Sequence, residues 1–293
     1  MFGIPPVILW AIGSMVVLGA LFSVGLVIAA RRFHIEEDER IVQAQALLPG
    51  VNCGACGYAG CQSYAEAVIK GEKITFCAAG GPDVAKALAE LMGVEVGDLQ
   101  RLRAVVHCQG GSSRCMDRFE YVGEADCRAA QIMSGGPKAC VYGCLGLGSC
   151  AKACPFGAIQ MSEEGLPVID PDKCTACGIC VRTCPRNLIS LLPAEYHMYL
   201  GCSSHDRGKA VKDVCEVGCI ACGLCVKNDP HQATQLVDNL PVLDFKKAQG
   251  DFRKGAEVCP MHCFVVEELL EAAQSAAPGA AEAASGGRAA PAS

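Results

Sequence analysis

The sequence predicts an α+β chain that begins with one long apolar helix. A small helical domain follows, then modules of short strands and tight turns. Three observations predict this. No Asp, Glu, Lys or Arg occurs between Met1 and Ala30. Cysteine makes up 22 of the 293 residues, close to the level of a cysteine-dependent scaffold. The cysteines also recur at fixed spacings beside prolines. Hydrophobic residues are 51% of the chain but aromatics only 5%, so the cores are aliphatic, with Ala and Cys filling in. A net charge of -6 lacks the basic footprint of a nucleic-acid binder.

Val7 to Ala30 is an almost unbroken apolar run. As a helix at about 1.5 Å per residue it spans about 36 Å, enough for a hydrocarbon core of about 30 Å with some tilt. Trp10 stands near one end and Arg31-Arg32 close the other. A cleaved signal peptide would carry positive charge before a shorter run. The segment therefore reads as a single retained transmembrane helix. Basic residues favour the cytoplasmic side, which places everything after Arg31 in the cytoplasm of a bacterial inner membrane. Thiols stay reduced there, so the cysteines are ligands rather than disulfides.

Residues 1–31 are thus the transmembrane anchor, and 32–95 a connector and small helical domain. In that domain, periodic apolar residues predict helices from about Gln62 to Lys70 and from about Asp83 to Met92. Residues 96–135 are a Cys-containing connector, 136–195 a first dense module and 196–267 a second. The Ala-rich tail, 268–293, has nothing to bury and reads as disordered. An internal repeat links the modules. Cys127, Cys140, Cys144, Cys150 and Cys154-Pro155 recur with identical spacing as Cys202, Cys215, Cys219, Cys225 and Asp229-Pro230.

The stretch "CTACGICVRTCP" carries Cys174, Cys177, Cys180 and Cys184. Three cysteines at this spacing put three thiolates around one point. In two-cluster bacterial ferredoxins the cysteine before proline ligates the other cubane [4Fe–4S] cluster. Zinc sites usually take two ligands from each of two separated knuckles, which fits this run poorly. The crossing rule groups Cys154 with Cys174, Cys177 and Cys180. It groups Cys184 with Cys140, Cys144 and Cys150, on looser spacing. In the second module Cys219, Cys222 and Cys225 form the same run, and Cys259-Pro260 supplies a remote ligand. No second dense run follows, so Asp229 is not read as a ligand. Cys53, Cys56, Cys61 and Cys77 form a different four-thiolate set near the membrane, where spacing alone admits zinc as well. Four sets account for 16 cysteines. A candidate fifth set lies among Cys108, Cys115, Cys127, Cys202, Cys215 and Cys263, with Cys108, Cys115 and Cys127 as its expected members, no fourth ligand identified by spacing, and buried free thiols as the alternative. The prediction is four or five [4Fe–4S] clusters in a small helical 4Fe–4S domain and bacterial-ferredoxin-like modules. There is no phosphate loop or dinucleotide fingerprint, the six histidines read as surface residues, and the apolar helix carries no ionisable side chain.

One apolar helix, then "CGACGYAGC", then these modules resembles the B subunit of the Rnf complex, the ion-translocating ferredoxin:NAD oxidoreductase. The resemblance runs over roughly 1–268 and is closest to the long, cysteine-rich forms. It implies an electron-transfer subunit with no complete active site of its own. Such a subunit takes electrons from soluble ferredoxin and passes them to flavin- and NAD-handling partners, while the membrane subunits move the ion. The rival reading is an anchored polyferredoxin of a different membrane dehydrogenase.

The charge step at Arg31-Arg32 yields a direct test. A reporter active only in the cytoplasm should be active when fused after Gly50, and one active only after export should be silent there. The opposite result would reverse the orientation.

Overall fold

The computed structural model describes residues 6–32, 38–95, 97, 99–245, 247 and 252–266. The tail from 268 lies outside the described residues. Helix α1 runs Pro6–Arg32, with Arg31 and Arg32 in its last turn, where positive charge suits the helix dipole. It is long and apolar enough to cross a membrane, with a mean hydropathy of 2.4 from Ile12 to Arg32. Its apolar side chains face outward, Trp10, Phe22 and Leu26 among them.

Three helices build the small helical domain: α2 (Glu39–Leu47), α3 (Cys61–Ile69) and α4 (Gly81–Met92). The Asp38 carboxylate caps α2 by accepting the Arg40 backbone N–H at 3.0 Å. At the other end of the domain Gly93, with φ of 64°, closes α4 in the left-handed conformation that glycine adopts without strain. The faces they share bury Ala44, Leu48, Tyr64, Ala65, Val68 and Leu88. Tyr64 brings its hydroxyl into this core and donates to the Lys73 carbonyl at 3.0 Å, so no polar atom is stranded.

The rest of the chain forms two strand-paired units of the same design. In the first, β1 (Leu102–Val106) pairs antiparallel with β4 (Ile189–Pro193), and β2 (Ile159–Met161) with β3 (Pro167–Ile169). In the second, β5 (Met198–Leu200) pairs with β8 (Phe264–Val266), and β6 (Thr234–Val237) with β7 (Leu240–Leu243). Each unit therefore joins its first strand to its last and its second to its third. The β6–β7 turn holds Asp238 and Asn239 at φ of 47° and 65°, the positive pair that a two-residue hairpin requires. The stretch 96–135, read from sequence as a connector, contributes β1 and helix α5 (Cys127–Ile132). Short helices punctuate the loops: α6 (Ser149–Lys152), α7 (Ile179–Thr183), α8 (Lys209–Lys212), α9 (Leu224–Lys227) and α10 (Arg253–Glu257).

Every sheet here has two strands, too few to be stable alone in water. Burial between the sheets falls largely to Cys, Ala and Ile. The first unit packs Ala104, Val106, Ile159, Cys180 and Ile189 into one cluster.

In the helical domain, Leu88 is 0% exposed. Leu88→Ala should cost about 2–5 kcal/mol of its stability. Amide exchange should quicken throughout α2, α3 and α4 while the strand units keep their protection. Unchanged exchange in those helices would show that the domain is held by something other than this core.

Candidate metal centres

Three loops share one backbone design. Each starts at a cysteine, Cys144, Cys174 or Cys219, and ends at Cys150, Cys180 or Cys225, with the same spacing in all three. Between these ends, Gly146, Ala176 and Ala221 all have positive φ (77°, 56°, 55°), and Gly148, Gly178 and Gly223 share a φ of 72°. A short helix starts after each glycine. Such a turn points backbone N–H groups inward. The Cys144 sulfur receives the N–H of Gly146, and Cys219 that of Ala221. Donors of this kind favour a thiolate, the form that binds metal.

The cysteines gather into five groups that together use all of them. Cys53, Cys56 and Cys61 lie close to Cys77 beside the helical core, where the Asn52 side chain receives the Cys61 N–H at 2.7 Å. Cys154, Cys174, Cys177 and Cys180 line one cavity of the first unit. A second cavity there is lined by Cys127, Cys144, Cys150 and Cys184. Cys219, Cys222, Cys225, Cys259 and Cys263 surround a cavity in the second unit. The remaining five, Cys108, Cys115, Cys140, Cys202 and Cys215, line a cavity between the units.

The sequence put Cys140 with Cys144, Cys150 and Cys184; the structure puts Cys127 there. The loop position filled by Cys177 and Cys222 in the other copies holds Leu147. Helix α5 delivers Cys127 to the gap. Asp126 caps that helix through the N–H groups of Arg128 and Ala129, both at 2.9 Å. Ser149 fixes it to the loop, accepting the Cys127 N–H at 2.7 Å and donating to Asp126 at 3.0 Å. The missing middle cysteine was the legible signal. The matched spacing of Cys127 and Cys202 concealed it, because the two are not equivalent in space. Cys202 instead matches Cys108. Each follows the first strand of its unit, and each sulfur accepts the N–H of the loop's first cysteine: Cys144 to Cys108 at 3.3 Å, Cys219 to Cys202 at 3.2 Å.

Asp229 stands where Cys154 stands in the first unit. Its carboxylate receives the N–H groups of His231 (3.0 Å) and Thr234 (2.7 Å), so its own turn consumes it. Burial would raise this carboxyl, but those hydrogen bonds win and hold it below the usual range. The offset that carries Cys144 to Cys219 also carries Cys177 to Phe252 and Cys180 to Gly255. Phe252 is buried against Met198, Cys225 and Phe264, and a Cβ on Gly255 would collide with its ring. A hydrocarbon core thus occupies the place of a second ligand set. The histidines are not all on the surface: His107 is half-buried, bridging the Leu200 carbonyl at 2.7 Å and the Ser190 hydroxyl at 2.6 Å.

Burial pushes the thiols of Cys108, Cys144, Cys150, Cys180, Cys202 and Cys225 up to about 11. Without a bound cation these groups stay protonated at neutral pH, and binding one must release protons. Thiols gathered around a cavity, several of them met by backbone donors, suit an iron–sulfur cluster.

Comparison with known proteins agrees. A family model described as "Putative Fe-S cluster" matches residues 48–78, and one described as "4Fe-4S binding domain" matches residues 167–190. The chain is 44% identical to the B subunit of the Na(+)-translocating ferredoxin:NAD(+) oxidoreductase complex of Acetobacterium woodii, over 87% of this chain and 77% of that protein. It is 42% identical to the B subunit of the ion-translocating oxidoreductase complex of Methanosarcina acetivorans, over 80% and 91%. It is also 42% identical to the B subunit of the proton-translocating ferredoxin:NAD(+) oxidoreductase complex of Clostridium ljungdahlii, over 78% and 82%. With its cysteine loops and its one membrane-length helix, the chain belongs to the B-subunit family of the Rnf-type ion-translocating ferredoxin:NAD oxidoreductases, as an iron–sulfur electron-transfer subunit.

Proposed function

We propose that this subunit takes electrons from a soluble ferredoxin at its second strand-paired unit and delivers them near the membrane to the other subunits of the complex. The observation that carries this reading is the close succession of the cysteine groups through the fold. Burial raises the Cys177 thiol and the nearby charge of Cys53 raises it further, so the first cysteine group neighbours the first unit. The two groups of the first unit share the core around Ile159 and Ile189. Cys144 touches Cys108, and Cys202 touches Cys219, through their N–H···S bonds.

Four [4Fe–4S] ligand sets follow. They are Cys53, Cys56, Cys61 and Cys77; Cys154, Cys174, Cys177 and Cys180; Cys127, Cys144, Cys150 and Cys184; and Cys219, Cys222, Cys225 and Cys259. When bound, such clusters supply one-electron carriers. The ferredoxin-like modules of this reading are the two strand-paired units, with 102–193 and 198–266 as their limits. The helical anchor keeps them at the membrane on the cytoplasmic side, beside the integral subunits that move the ion.

Cys222 is the one exposed cysteine, so the second unit offers the shortest approach for a soluble donor. The Gly208 N–H donates to the Ile220 carbonyl at 3.1 Å, holding the start of α8 against that loop. Lys209 and Lys212 on α8 are exposed beside it, and Lys227 and Lys254 are exposed in the same unit. Lys247 is partly engaged, 3.5 Å from Asp244, and Lys246 lies outside the described residues. A positive rim of this kind would steer an acidic ferredoxin.

Protein purified without oxygen should hold at least about 16 iron atoms with matching sulfide, and Cys127→Ala should remove about 4 of them. Zinc in place of iron would end the relay reading. A full iron count in Cys127→Ala would remove that residue from its set. Reversing charge at Lys209 and Lys212 together should slow reduction by ferredoxin several-fold at low ionic strength. The deficit should shrink as salt shortens the screening length towards about 8 Å, and dithionite should reduce both proteins alike. An equal ferredoxin rate at every salt concentration would move the docking site elsewhere.

A further inference from the structure

We propose that the cavity between the two strand-paired units is a fifth cluster site, held by Cys108 and Cys140 from the first unit and Cys202 and Cys215 from the second. The proposal rests on the iron–sulfur reading above and extends it to a shared site that fastens the units together.

Five cysteines line this cavity, and a cubane takes four. Local backbone geometry selects among them. Four of the proposed ligand cysteines receive the backbone N–H of the residue two positions on: Cys144 from Gly146, Cys177 from Ile179, Cys219 from Ala221 and Cys259 from Met261, whereas Cys150, Cys180 and Cys225, which lie in the short helices, take that of the next residue. The same turn occurs at four of the five cavity residues. Cys108 takes the N–H of Gly110, Cys140 that of Tyr142, Cys202 that of Ser204 and Cys215 that of Val217. Cys115 lacks it; its sulfur is met by the N–H of Cys140 and by the Cys215 thiol. Cys263 in the neighbouring cavity lacks it too, meeting only the thiols of Cys219 and Cys259.

The four chosen residues form two equivalent pairs. Cys140 and Cys215 hold the same place in the two copies, four residues before Cys144 and Cys219. Cys108 and Cys202 each follow a first strand and each touch a loop cysteine, as described above. A pair from each unit thus faces its counterpart across the cavity. Contacts between the two units hold this arrangement. The Met116 N–H donates to Val214 and the Glu216 N–H to Arg114, both at 3.0 Å, pairing Cys115 with Cys215 across the boundary. The Ser203 hydroxyl donates to the His107 carbonyl at 3.0 Å. A Cβ on Gly110 would lie 3.2 Å from the Cys215 sulfur and 3.9 Å from that of Cys108, so a side chain there would intrude on the site. The alternative, a packet of buried free thiols, leaves the repeated turn and the paired arrangement without a reason.

The test is the iron content of the full-length protein, purified without oxygen and counted by native mass spectrometry. Cys108→Ala and Cys202→Ala should each lose about 4 iron atoms, and the double variant should lose the same 4 because both residues serve one cluster. Cys115→Ala should keep its full iron. A double variant that loses about 8, single variants that lose none, or loss from Cys115→Ala would each overturn the proposal. Far-UV circular dichroism checks that each variant folds. Where one does not, the unmodified protein decides: about 20 iron atoms support the fifth site, and about 16 overturn it while leaving the other four sets intact.

Discussion

The backbone N–H aimed at a cysteine sulfur is the interaction on which the rest of this structure depends. A thiolate in a half-buried site is costly unless donors face it, because burial favours the neutral thiol. Two positive-φ residues between the ends of each loop turn the amides inward, as at Ala176 and Gly178. Only then can several sulfurs share one cavity. The sheets around them contribute little by themselves: four pairs of short strands, with a core of Ile, Val, Ala and Cys. In the proposed reading, ligation would supply the cross-links that larger cores supply in other folds, as metals commonly do in small domains.

Duplication followed by divergence explains how the two units differ. In the first unit, the middle loop position holds Leu147, and a helix without counterpart in the second unit brings Cys127 to the same cavity. In the second, the ligand positions are replaced outright, and Phe252 fills the space. Burying a phenylalanine contributes about 1.5–3 kcal/mol and needs no cofactor. Once that core formed, a cysteine at Asp229 would have had no metal to bind. The carboxylate there now satisfies two amides of its own turn.

The legible parts of the site were those encoded by local spacing. The runs at Cys174 and Cys219, the cysteine–proline pairs and the helices near Tyr64 and Leu88 follow from short-range periodicity and turn chemistry. The set at Cys127 was not legible, because α5 reaches its loop through contacts between residues far apart in sequence. The same holds for Cys108, which follows β1, a strand defined by pairing with residues 189–193. Identical spacing to Cys140 and Cys215 matched Cys202 to Cys127 in sequence, although the two are not equivalent in space. Spatial equivalence followed the strand order instead.

Arg186 shows how closely the first unit's ligand sets are bound to one another. It follows Cys184-Pro185, and its guanidinium reaches Gln131 on α5 at 2.8 Å and the Cys140 carbonyl at 2.9 Å. It also donates to the carbonyls of Gly135 and Gly143. One side chain therefore ties the segment carrying Cys127 to the segment carrying Cys140. Burial opposes its charge, whereas Cys140, Cys144 and Cys108 favour it, so the cation sits among the sulfurs of two neighbouring sites. A lysine could place a charge there but could not make these four contacts from one planar group. The same residue thus aligns the ligands and offsets the negative charge that they would carry.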